Sequence, residues 1–390
     1  MNDLIIRNAR VVTEESVLPS STLVCREGRF IDNADEQPDG QVYDARGRYL
    51  VPGYIDLHMH GVLGRLVDSG KAALEEICRV LPRYGVTGFL PSVTPCADDP
   101  ALLRDLAAAR SDGSEILGFF LEGHYLKLSG AIRDIPTDYS SSRVRALREA
   151  AEPFGIVFGV SPEIPELAEL FPIMVESGFS AFITHTEANV EQTILAIGLG
   201  ARHATHFYDV FPYPGEQEPG VRGCGAVEAV LANPRVTVDF ILDGEHVAPV
   251  AVKMALAAKG PGGVCLITDS NICAGLPPGT YGGLGEDEIV MHYPGGPARM
   301  SEKTREPGGL AGSGLTMDLA VRNAVRLLGI SLPRAVRMAS LNPAAVLGLQ
   351  NRKGRITPGF DADFALLDEN LAVNACFVAG KKVFDSEEEI

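Results

Sequence analysis

Val51-Pro52-Gly53-Tyr54-Ile55-Asp56-Leu57-His58-Met59-His60-Gly61 is an apolar run that ends in two histidines one residue apart. Side chains two apart in a strand share a face, so His58 and His60 project together from its end. Two converging imidazoles suit a zinc-type cation, whose nitrogen ligands sit at about 2.0–2.1 Å. The stretch predicts the opening strand of a (β/α)8 TIM barrel, a fold whose chemistry gathers at the C-terminal ends of its strands.

Outward from this stretch, apolar runs recur at residues 88–90, 116–121, 156–160, 179–183, 236–241 and 264–267. Helical stretches separate them, as at 72–84 and 249–259. Continuous apolar strands between helices indicate an α/β protein with a parallel sheet covered on its faces. An open doubly wound sheet is the alternative, and the lack of a GxGxxG after the first strand weakens it. The two ends of the chain read differently. Short β-type runs flank Glu27-Gly28 near the start and Gly380 near the end. Neither end is long enough to bury its own core, so they are expected to pair. Residues 1–52 and 355–390 should form a small β-sandwich, with residues 53–354 as the barrel between them.

Each later apolar run is followed by a residue that can bind a cation or move a proton. Leu121-Glu122-Gly123-His124 puts a carboxylate directly after buried residues, a costly position without a partner. His124 reads equally as a pocket wall or as a ligand. Thr184-His185-Thr186 and Ala204-Thr205-His206-Phe207 add two more imidazoles, while His203 reads as structural. Glu122, His58, His60, His185 and His206 together are the N/O inventory of a zinc, iron or manganese hydrolytic site. Leu266-Ile267-Thr268-Asp269-Ser270 closes the set with an acid placed to take a proton from an attacking water and hand it on.

Composition narrows the function classes. The net charge of −17 argues against nucleic acid, whose phosphates need clustered Lys and Arg. Seven scattered cysteines without a CxxC pair suggest reduced thiols and a cytoplasmic protein. No basic, apolar leader opens the chain, and no window approaches the roughly 20 apolar residues of a membrane span.

The ordered set VPGYIDLHMHG, LEGH, THTEA, HATHF and LITDS resembles the amidohydrolase superfamily, and more closely its N-acetylglucosamine-6-phosphate deacetylases. Further stretches carry the likeness: GVTGFLPSVTP (85–95), DGEHV (243–247), LAGSGLTMDLAVRN (310–323) and KGRITPGFDADFALLD (353–368). The resemblance implies a distorted barrel with a β-sandwich from both termini, in a homodimer. It implies a main metal site at Glu122, His185 and His206, with a second ion at His58 and His60 and Glu122 bridging. The ion is expected to be zinc, with iron or manganese as alternatives. The implied reaction is deacetylation of an N-acetyl amino sugar by metal-bound hydroxide, with Asp269 as general base and then acid. His246 matches a substrate-contacting histidine, and Ser313 belongs to a loop near the substrate.

Four departures from the family pattern stand out. His124 replaces a proline, and Asp134 stands near an expected histidine. Tyr208-Asp209 replace an Asn-Ala pair that holds substrate, and Gln217 stands where an arginine binds phosphate. Arg222 is the nearby substitute. Losing a bidentate arginine removes a geometrically specific phosphate contact. The expected substrate-binding set is therefore His246, Tyr208, Asp209, Gln217, Arg222, His124 and Ser313. The alternative reading is another reaction of the superfamily on a non-phosphorylated molecule: D-aminoacylase, cyclic amide hydrolase or deaminase. A metal-dependent scaffold without activity is the non-enzymatic alternative.

Overall fold

The computed structural model describes residues 3–32, 40–133, 135–215, 218–283 and 287–388. Its centre is a ring of parallel strands: β1 (Tyr54–Met59), β2 (Val86–Val93), β3 (Phe119–Tyr125), β4 (Ile156–Val160), β5 (Phe182–Ile183), β6 (His203–Ala204), β7 (Thr237–Ile241) and β8 (Val264–Ile267). Each pairs in parallel with the next. The ring closes where Met59 bridges Ser270. There the His60 amide donates to the Ser270 carbonyl at 2.9 Å, and the Asp269 amide to the His58 carbonyl at 2.9 Å.

The barrel is distorted as expected. The run at 179–183 contributes only a two-residue strand, and so does the segment before His206. The chain leaves the ladder early there because the next residues turn inward to the site. Amphipathic helices such as Lys71–Val80 and Ser141–Ala151 bury one face against the strands. Leu57, Phe120, Phe158, Phe182, Phe240 and Leu266 are fully buried and fill the core.

The termini meet in one sheet. Asp3–Val12 pairs antiparallel with Val17–Arg26, and Tyr49–Pro52 joins Asp3–Val12 to Phe364–Leu367. This sheet has its own apolar cluster, in which Phe364 and Phe377 stack at 4.4 Å. Its hairpins turn where the sequence indicated. Glu27 and Gly28 have φ of 49° and 80°, and Ala379 and Gly380 have φ of 47° and 70°, the paired positive values of a tight two-residue hairpin.

One element escaped the sequence reading. Gly279–Gly282, Glu288–Met291, Pro297–Met300 and Leu310–Ser313 form a four-stranded antiparallel sheet after β8. It packs around Cys273, Ile289, Met291 and Met300, and brings residues 306–312 over the mouth of the barrel. Its signal was present in the turn residues at 294–296 and 307–309, between short alternating runs.

Candidate metal centre and active site

Glu122 is the hub. It lies in β3 with its side chain buried at the barrel centre. Its Oε1 is 2.9 Å from His206 Nε2 and 3.3 Å from His185 Nε2. Its Oε2 is 3.0 Å from His60 Nε2 and 3.2 Å from His58 Nε2. Asp269 completes the ring, with Oδ1 3.4 Å from His58 Nε2 and 3.5 Å from His60 Nε2. Strand ends far apart in the chain thus meet at one carboxylate. Two triplets result, His58-His60-Glu122 and Glu122-His185-His206, each with its ligand atoms within 4.8 Å of one another.

Three site residues sit on strained backbone. His185, His206 and Asp269 have φ of 49°, 33° and 44°, in a region that costs a side-chain-bearing residue on the order of 1–3 kcal/mol. Each lies two residues beyond its strand, where the left-handed turn swings the side chain back over the barrel axis. Gly130 makes room for one of them: a Cβ there would stand 2.7 Å from His185 Cε1, and Gly130 itself has φ of 54°.

The hydrogen bonds behind the rings settle which nitrogen faces inward. His185 Nδ1 lies 2.9 Å from the Leu128 carbonyl and His206 Nδ1 lies 3.4 Å from that of Asp209. A carbonyl only accepts, so each Nδ1 carries a proton, which leaves each Nε2 as the atom able to turn a lone pair toward a cation beside Glu122. Lone pairs and carboxylate oxygens facing one another repel unless positive charge lies between them. The residues therefore fit a divalent cation. The same demand shows in the side-chain equilibria: burial alone would lower the affinity of His206 for protons, but the Glu122 carboxylate overrides it and raises its pKa to about 10.

Beneath the centre, Asp56 accepts from the Thr268 hydroxyl at 2.6 Å and ties β1 to β8. Full burial pushes Asp56 up to about 7 despite those hydrogen bonds. Above it lies a cavity of about 270 Å³ lined by His60, Glu122, His185, His206, Asp209, Asp269 and, from the outer sheet, Glu306 and residues 309–312. A larger hollow of about 460 Å³, lined by Arg145, Arg148 and Glu152, sits at the opposite, N-terminal end of β4. That is the end of a barrel where chemistry is not found.

The remaining expected residues separate into two groups. Asp209 lines the cavity, and Tyr208 lines the adjoining outer hollow with Val210 and Phe211. His246 is buried on Asp243, its Nδ1 at 2.7 Å from that carboxylate, with no partner for Nε2 among the described residues. His124, Ser313 and Arg222 are placed elsewhere. The His124 side chain faces outward, 3.4 Å from Asp99, which also binds Arg143. Gly123, at φ 104°, breaks the strand alternation that would have turned His124 inward beside Glu122. Ser313 donates to the Thr268 carbonyl at 2.6 Å and so braces the Asp269 turn from behind, while its neighbours Ala311 and Gly312 reach the cavity. Arg222 is exposed, paired with Glu228 at 3.0 Å. Gln217 and Asp134 lie outside the described residues.

The sequence reading also missed residues. Glu306 came with the unforeseen sheet. Asp239, the one acid in the apolar run 236–241, is fully buried and accepts from the His206 amide at 2.5 Å. Its signal was available, since a lone carboxylate in a buried strand must have partners. A third acidic triplet, Glu115, Asp361 and Asp363, is no cation site in waiting, because the Lys353 ammonium already lies 2.6–3.1 Å from all three.

Known proteins resemble this chain along most of its length. The amidohydrolase family profile covers residues 49–383. This chain belongs to the amidohydrolase family. It is a hydrolase of C–N bonds other than peptide bonds. An N-acetylgalactosamine-6-phosphate deacetylase of Escherichia coli O157:H7 is 30% identical over 97% of this chain and 98% of its own length. An N-acetylglucosamine-6-phosphate deacetylase of Lysinibacillus sphaericus is 31% identical over 97% of each chain. The N-acetylglucosamine-6-phosphate deacetylase structure from Pasteurella multocida superposes with a TM-score of 0.85 at 25% identity, over 97% of this chain and 99% of that one.

Proposed function

We propose that this amidohydrolase removes the acetyl group from an N-acetyl amino sugar, with Glu122, His185 and His206 holding one divalent cation and His58 and His60 a second that shares Glu122. The observation that carries the reading is the Glu122 carboxylate, shared between two histidine pairs with Asp269 beside them. The nitrogen-and-carboxylate donor set favours zinc, with iron or manganese as alternatives. A bound cation supplies Lewis acidity, bringing the pKa of a water toward ~7 and balancing the charge that develops on the amide oxygen.

The protein's own groups do the rest. Asp269, held over the cavity by its left-handed turn, takes the proton of the attacking water and returns it to the departing nitrogen. Asp243 outweighs the burial that would disfavour a charged His246 and raises its pKa, and its Nε2 is the ring atom left to contact substrate. The rim of Tyr208 and residues 309–312 limits water around the scissile bond. The free cysteines fit a reducing cytoplasm. Exposed Ile194, Leu195, Val250 and Met254 on outer helices offer the apolar surface a homodimer needs.

A second reading concerns charge. The lining of the cavity contains Asp209 and Glu306 besides the metal-centre acids, and no lysine or arginine among its described residues. A phosphate roughly 6 Å from a carboxylate meets about 3 kcal/mol of repulsion per charge pair at an effective dielectric of about 20. This favours a non-phosphorylated amide, either the neutral N-acetyl-hexosamine or a cyclic amide. The deciding experiment is an amide-hydrolysis screen, read by acetate release for N-acetyl-hexosamine 6-phosphates and N-acetyl-hexosamines and by the freed amine or carboxylate for N-acyl-D-amino acids and cyclic amides. Turnover of sugar phosphates best supports the first reading, and preference for the uncharged sugars supports the second. Activity confined to the last two classes removes the amino sugar from both.

A further inference from the structure

The two sides of the centre are oriented by different means. On the His185-His206 side, both Nδ1 atoms face backbone carbonyls, which no substitution of those acceptors can remove. His58 differs. Its Nδ1 lies 3.2 Å from the Thr205 hydroxyl, and that hydroxyl lies 3.0 and 3.2 Å from the two oxygens of Asp239. Asp239 also accepts from the His206 amide at 2.5 Å and lies 2.7 Å from His203 Nε2. Every side chain in this chain of contacts is buried.

Proton counting fixes the direction. A carboxylate only accepts, and a hydroxyl has one proton to give. Thr205 therefore donates to Asp239 and turns a lone pair toward His58, which can answer only with an N–H at Nδ1. The proton is thereby kept off Nε2, which points at Glu122 and His60. We propose that Thr205 and Asp239 are positioning residues that set the His58 tautomer, and so decide whether the His58-His60-Glu122 side can hold its cation. The other side is independent of them for its tautomers. This inference rests on the two-ion reading above.

The test uses Thr205→Val, which keeps the shape and removes the hydroxyl, and Thr205→Ser, which keeps the hydroxyl. Each purified protein is stripped with a chelator and titrated with Zn²⁺ by calorimetry, with bound zinc counted by elemental analysis. The parent and T205S are expected to bind two ions per chain. T205V is expected to keep the first and bind the second about 10–100-fold more weakly, the usual effect of losing the partner behind a ligating histidine. A T205V protein that binds both ions like the parent overturns the inference while leaving the two-ion reading intact. Loss of both ions from a folded T205V also overturns it. A parent that binds one ion overturns the two-ion reading and this inference with it. Should T205V not fold, nitrogen-15 shifts of His58 in the zinc-loaded parent decide the matter: Nδ1 protonated is expected, and a bare Nδ1 overturns the proposal.

Discussion

At the scale of single residues, the site is a set of side chains held where they would not go unaided. Asp269 is the sharpest case, with a left-handed backbone and a carboxylate beside two histidines. Asp269→Asn should leave metal content unchanged and lower kcat by about 10²–10⁴-fold, the usual share of a proton-transfer group; elemental analysis and a rate measurement check both halves. Gly130→Ala acts indirectly. Its new Cβ would press on His185, so kcat should fall by about 10²-fold, and metal affinity should fall with it. Asp99 tests pH linkage away from the centre. Burial would raise its pKa, but His124 and Arg143 bring it down to about 2, below the ordinary 3.8. A depressed acid stabilises the fold above its unfolded pKa and loses that contribution as pH falls through the folded one. Asp99→Asn should therefore be less stable than the parent near neutrality, and the gap in urea midpoint should close between about pH 4 and pH 2.

At the scale of elements, strands deliver ligands and the segments after them aim those ligands. β5 and β6 are two residues long, yet His185 and His206 arrive correctly because hydrogen bonds to the Leu128 carbonyl and Asp239 complete what the short ladder leaves out. The joint between barrel and terminal sheet is also electrostatic. Lys353, almost fully buried, meets Glu115 before β3 and Asp363 before strand Phe364–Leu367. Burial would lower its pKa, but Asp363 and Glu115 outweigh that and raise it above the ordinary 10.5. Its contribution is thus complete below about pH 10.5 and lost only as pH climbs through the raised value. Lys353→Met strands the buried Asp363 carboxylate and should cost about 3–5 kcal/mol at neutral pH, with the penalty shrinking in strong alkali; denaturant titration at several pH values measures it.

At the scale of the whole molecule, the centre ties β1, β3 and β8 to the turns after β5 and β6, so binding a cation is coupled to holding the barrel closed. Chelation should lower Tm and reloading should restore it, since a ligand at 1,000 times its Kd stabilises by about 4 kcal/mol. Glu122→Gln should largely abolish that metal dependence in a thermal melt. Much of this was legible in the sequence. Period-two placement put His58 and His60 on one face, apolar runs marked most of the strands, and an acid or imidazole after most of those runs marked the mouth of the barrel. Glu27-Gly28 and Ala379-Gly380 fixed hairpins because their dihedral demands are local. What the sequence left open depends on contacts between distant segments. The outward turn of His124, the pairing of Arg222 with Glu228, the arrival of Glu306 and the Asp239-Thr205-His58 chain are decided by which surfaces pack together. Local pattern determined which groups could do chemistry, because residue type and spacing along a strand are properties of the chain itself. Only the folded molecule decided which of them share one point, because that point exists only once the barrel has closed.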